Sequence, residues 1–171
     1  MRQFLVFLCL CLGSAPLAAA ETHQLRFAPE LYALFLRADF EFASTVGGLC
    51  LLGGGGQAAD RFIESGLTSQ RADPVELCTT MYTALIERGS LPSLLDQKQP
   101  PDTRAFDFAV GFQSGFAAPE RYDRYRAVPD AHLQHITDEC GANRGSKADC
   151  TIAGALQGVR IQTYFTEQAR R

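Results

Sequence analysis

Four cysteines, Cys50, Cys78, Cys140 and Cys150, constrain this chain more than any other feature, because in an oxidising compartment an even set of thiols becomes cross-links. The compartment is read from the N-terminus. Met1-Arg2 is followed by the apolar run Phe4 to Leu12, a Gly13-Ser14-Ala15-Pro16 break and Leu17-Ala18-Ala19-Ala20. A short positive start, an apolar stretch of about ten residues and an Ala-x-Ala site describe a secretory signal peptide over residues 1–20, cleaved after Ala20; a membrane-crossing helix needs about 20 apolar residues. Cys9 and Cys11 lie inside that stretch and leave with it. Residues 21–171 are then expected as one helical domain in the periplasm or outside the cell.

Of the three connectivities open to four cysteines, Cys50–Cys78 with Cys140–Cys150 closes the shortest loops, and each bridge is worth about 3 kcal/mol by the chain-entropy argument. That is a large share of a typical total of about 5–15 kcal/mol. A four-cysteine zinc site would need closely paired ligands such as Cys-x-x-Cys, which are absent from this sequence. A catalytic thiol would leave its partner unpaired.

Helical signals run through the body of the chain. At Asp73-Pro74-Val75-Glu76 an acceptor side chain, a proline that has no N–H to lose and a capping-box glutamate open a helix. Leu77, Met81, Ala84 and Leu85 continue it to Gly89, a left-handed stop. After Pro100-Pro101, with Asp102 or Thr103 as cap, Phe108, Phe112 and Phe116 fall four apart, and Phe106 with Val110 adds a second stripe, which predicts that this helix is the buried one. Asp130 to Cys140 shows Leu133, Ile136 and Cys140 on one side. A helix with Ile152, Leu156 and Val159 follows the polar loop, so the two form an antiparallel hairpin with a Cys140–Cys150 bridge at its turn. Over Pro29 to Leu52, Leu31, Phe35, Ala38 and Phe42 share a helical face, although Asp39 to Phe42 also alternates as a strand would. The expected fold is all-α, a small disulfide-stapled bundle.

Glycine appears in two informative patterns. Gly111-x-x-x-Gly115 and Gly154-x-x-x-Gly158 each clear a groove on a helix, a feature of closely packed backbones. The run Gly53 to Gly56 formally fits a dinucleotide fingerprint, as Gly53-x-Gly55-x-x-Ala58 with Asp73 downstream. Four consecutive glycines satisfy many such patterns, and the repeated strand–helix units the fingerprint requires are not visible. We read the run as the end of the first helical stretch, with a short helix over 57–65 stopped by Gly66, and expect no cofactor.

Two surfaces qualify as candidate sites. His132, His135 and Glu139 are near one another on one helix face, with the donor types that bind zinc, though three ligands from one helix need a fourth from elsewhere. Arg121-Tyr122-Asp123-Arg124-Tyr125-Arg126 concentrates the residue types that dominate protein–protein hot spots, with Arg121, Tyr122, Arg124 and Tyr125 as candidate contacts. No catalytic residue is assigned: Gly111-Phe112-Gln113-Ser114-Gly115 is not a nucleophile elbow and sits in a helical pattern. With a formal net charge of −3 and interspersed signs, the chain offers no basic patch for nucleic acid or an anionic membrane, and no second run is long enough to span a bilayer.

The C-terminal segment Leu133-x-x-Ile136-x-x-x-Cys140, a polar loop and Cys150-Thr151-Ile152-Ala153-Gly154-Ala155-Leu156-Gln157-Gly158-Val159 resembles the helix–Cys–loop–Cys–helix opening of periplasmic immunity proteins that neutralise peptidoglycan-cutting effectors of type VI secretion. The resemblance implies a small, exported, helical, disulfide-bonded protein that neutralises another protein. We therefore expect a non-enzymatic binding role. The alternative is a small envelope enzyme or metal-binding protein using the His132/His135/Glu139 face.

Overall fold

The computed structural model describes residues 26–125 and 127–171; the expected signal peptide lies outside them. Every regular element among these residues is helical. In chain order they are α1 (Pro29–Arg37), α2 (Phe40–Leu51), α3 (Gly55–Glu64), α4 (Pro74–Glu87), α5 (Leu91–Leu95), α6 (Arg104–Ala117), a 3-10 helix (Pro119–Tyr125), α7 (Asp130–Gly141) and α8 (Lys147–Gln168).

Local chemistry sets most of these boundaries. Asp73 accepts from the N–H groups of Val75 and Glu76, both at 3.0 Å, and opens α4, which closes before Gly89 at φ +70°. Thr103, rather than Asp102, caps α6: its hydroxyl accepts from Phe106 N–H at 3.1 Å and donates to the Leu51 carbonyl, pinning the start of α6 to the end of α2. Ser146 caps α8 through the Asp149 N–H.

The stretch expected as one helix over 29–52 is two. Asp39 accepts from the N–H groups of Glu41 and Phe42 at 2.8 and 3.2 Å, so the chain restarts at Phe40 after an extended Ala38. The strand alternative does not form. The short helix expected over 57–65 begins two residues earlier, at Gly55.

The closest approach of two helices joins α6 to α8. A methyl group built on Gly111 would lie 1.9 Å from the Thr151 carbonyl oxygen; on Gly154 it would lie 2.0 Å from that of Phe108, and on Gly158 2.2 Å from that of Phe112. These pairings rise together along both helices, so α6 and α8 run parallel. Their starts meet accordingly: Asn143 Oδ1 accepts from Arg104 N–H at 2.9 Å, and Lys147 pairs with Asp102 at 2.9 Å. The 3-10 helix and α7 carry the chain back between them, so α7 opposes α8 as a hairpin, while the closer neighbour of α8 is α6.

This contact corrects one expectation. Phe106 and Val110 do not form a buried stripe: the buried residues of α6 are Ala105, Phe108, Ala109, Gly111, Phe112 and Gly115, with Gly111 and Gly115 against α8, whereas Val110 is exposed and Phe106 half-buried. With backbones this close, only small residues fit the contact face, and the larger Val110 is turned outward.

The other half packs α1 to α4 around Phe35, Phe62, Met81 and Leu85. Arg88 donates to the carbonyls of Phe35 and Ala38 at 3.0 and 3.1 Å, closing the C-terminal end of α1 with a cation. Phe27, Tyr32, Tyr164 and Phe165 form a ring cluster with centroids 5.4–5.8 Å apart that ties the late turns of α8 to α1. Two disulfides complete the frame, Cys50–Cys78 between α2 and α4 and Cys140–Cys150 between α7 and α8, each with Cα atoms 5.7 Å apart. They are the sequence-local pairs. No helix among the described residues is long and apolar enough to cross a membrane.

Candidate functional site

The arginine–tyrosine segment folds as the 3-10 helix that follows α6, with Tyr122 and Tyr125 half-buried against the core and Arg121 and Arg124 exposed. Arg124 lies over the Tyr125 ring, 4.7 Å from its centroid, and donates to the Tyr125 hydroxyl at 2.8 Å. Much of the tyrosine surface is thus committed to the fold, while Arg121 remains at the rim of a groove.

That groove is open, about 680 Å³ in volume, and runs between α5 and the outer face of α6. Pro92, Leu95 and Asp96 form one wall, Val110, Gln113, Ser114 and Ala117 the floor, and Arg121 closes one end. It exists because α6 gives its small residues to α8 and presents Val110, 36 % exposed, to solvent. Among the candidate contacts, Arg121 reaches this groove; Tyr122, Arg124 and Tyr125 do not line it. The α5 wall and Val110 were missed by sequence reasoning, since a five-residue helix leaves little periodic signal and Val110 reads as a core residue.

The His132/His135/Glu139 face lies on the outer side of α7, with both histidines exposed. Glu139 is engaged elsewhere: Arg144 donates to its two oxygens at 2.7 and 3.0 Å, and this bond, with a smaller contribution from His135, holds the carboxyl below its ordinary pKa. No group of three or more His, Cys, Asp or Glu side chains among the described residues is arranged to hold a metal ion.

The glycine run joins helix α2 to helix α3, without the strand that a dinucleotide fingerprint requires before it. Gly53, Gly55 and Gly56 instead border a cavity of about 330 Å³ beside the Cys50–Cys78 bridge. Pro74, Val75, Thr79 and Tyr82 of α4 line it, with Ala105 and Phe108 of α6 and Thr137, Asp138 and Gly141 of α7. Arg26 links two acids on its border, Asp138 at 2.9 Å and Asp73 at 3.7 Å. The Tyr82 hydroxyl is buried without a hydrogen-bond partner, and burial pushes its pKa far up, so it stays protonated.

Among the described residues these features define an all-helical fold stapled by two disulfides, with an open groove on one face and a lined cavity beside a bridge. No protein-family model, curated protein or solved structure gives a significant match to the chain.

Proposed function

We propose that this chain is an exported, non-enzymatic binding protein that neutralises or sequesters another protein in the periplasm. The α5–α6 groove carries the reading: an exposed valine beside Leu95 and Ala117, in a trough that Gln113, Ser114 and Asp96 also line and Arg121 borders, offers the mixture of apolar and polar contacts that a protein interface uses. Two disulfides suit such a role in an oxidising compartment outside the cytoplasm, where they form and persist. The partner is expected to seat an apolar side chain over Val110.

The test is affinity capture from envelope extract with the wild-type protein beside Val110→Arg and Arg121→Glu, followed by reconstitution with the purified partner. A single partner that binds the wild type stoichiometrically and both variants at least tenfold more weakly is the expected result. Recovery of no partner, or equal binding by all three proteins, overturns the proposal.

A further inference from the structure

The two disulfides differ in what can reach them. Cys140 and Cys150 are 1 % and 0 % exposed, and the loop between α7 and α8 covers this bridge: the Arg144 carbonyl oxygen lies 3.6 Å from Cys150 Sγ, and a methyl group on Gly145 would lie at the same distance. In the other bridge Cys50 is 2 % exposed, but Cys78 is half-buried. Cys78 lines the cavity of about 330 Å³, on the same side of α4 as Pro74, Val75, Thr79 and Tyr82.

Glycine keeps that sulfur uncovered. Gly55 and Gly56 border the cavity, and the first atom of a side chain at Gly55 would rest 3.7 Å from Cys78 Sγ, in van der Waals contact with it. Gly55 opens α3 without a positive φ, so its backbone conformation does not demand glycine.

Thiol–disulfide exchange begins when a thiolate attacks one sulfur of the bridge. A bridge with both sulfurs covered reacts only after the fold opens, whereas an accessible one reacts in place. We propose that Cys50–Cys78 is a thiol-exchange site, at which a low-molecular-weight thiol enters the cavity and attacks Cys78 Sγ. The incoming sulfur bonds to Cys78, the bond between Cys78 and Cys50 breaks, and its electron pair leaves on Cys50 Sγ, which takes a proton from solvent. Reverse attack by the Cys50 thiolate expels the small thiol and restores the bridge, so exchange consumes no oxidant. While the adduct persists, α2 has no covalent tie to α4, and Cys140–Cys150 still joins α7 to α8. The site is separate from the α5–α6 groove, so the inference stands or falls independently of partner capture.

The probe is cysteamine, added to the folded, oxidised protein, with acid quenching, alkylation by N-ethylmaleimide in denaturant and peptide mapping by mass spectrometry. The first product is expected to carry cysteamine on Cys78 and the maleimide on Cys50, with Cys140–Cys150 intact. Its initial rate should rise linearly with cysteamine concentration and exceed the opening of Cys140–Cys150 by about tenfold or more. Gly55→Ala, which places a methyl group against Cys78 Sγ, should lower the ratio of the two rates by about threefold or more. Taking the ratio within one sample removes any change in overall stability, since unfolding exposes both bridges alike. Absence of an adduct, an adduct formed first on Cys50, rates for the two bridges within a factor of about ten, or a rate independent of cysteamine concentration overturns the inference. So does an unchanged ratio in a folded Gly55→Ala protein, which tests the route of attack without touching either cysteine.

Discussion

Gly115 and Ala155 face each other so closely that a methyl group on the glycine would lie 1.9 Å from the alanine's carbonyl oxygen. A backbone atom of a long helix cannot step aside for a methyl, so the whole helix pair must part. Gly115→Ala is expected to cost about 3 kcal/mol or more, despite alanine's higher helix propensity. Gly48, inside α2, is the control, since a methyl group there would meet nothing within 4 Å: Gly48→Ala should be neutral or stabilise by up to about 1 kcal/mol. Urea denaturation of the two variants checks the pair.

The two disulfides should contribute unequally. Each removes unfolded-state freedom according to the loop it closes, and their separations are 28 residues for Cys50–Cys78 and 10 for Cys140–Cys150. Replacing both cysteines of a pair by serine is expected to cost about 3 kcal/mol, with the longer loop costing about 1 kcal/mol more. Denaturation midpoints of the two double variants, compared at equal urea slopes, measure the difference.

Arg88 holds the end of α1 through two carbonyls and also lies 5.9 Å from the centroid of the exposed Phe40 ring. Arg88→Ala should destabilise by about 2 kcal/mol, since charged donors to carbonyls are stronger than neutral ones. Arg88→Lys should recover only part of the loss, because a point charge cannot reproduce the planar guanidinium. Thermal melts of both variants at matched salt provide the comparison.

Stability should fall slightly on the acid side through Glu139 and Asp102. Arg144 depresses the folded pKa of the first and Lys147 that of the second, so each contributes above its unfolded pKa, near the ordinary carboxylate value of about 4, and the contribution is lost as pH falls through the folded value. Both groups are exposed, which keeps the effect small. Glu139→Gln should therefore lower the melting temperature at pH 7 and leave it unchanged at pH 2, the two proteins converging as the solution is acidified.

What could be read in advance depended on how local the cause was. Asp73 and Pro74 start α4 with atoms within one turn, and the cysteine pairs follow from loop length, so both were legible. So were the paired glycines, whose only economical use in a helix is close approach. Val110 was misread because periodicity ranks a side by hydrophobicity, whereas α8 selected the side of α6 by size. The break at Asp39 escaped because its cap competes with a helical stripe that continues across it. Neither the groove nor the cavity has a local signature: Leu95 and Val110 come to line one groove, and Tyr82, Ala105 and Thr137 one cavity, only once the chain is folded.

Both covalent links lie toward the end of the molecule where α6 and α8 begin: Cys50 and Cys78 border the cavity, and Cys140 precedes its lining residue Gly141. The opposite end, where α8 finishes, relies on the Phe27, Tyr32, Tyr164 and Phe165 rings. The molecule is therefore mechanically lopsided. Under heat or pulling, the aromatic end should fray first while the bridged end keeps its shape, and amide exchange along α8 should quicken steadily from Cys150 toward Gln168.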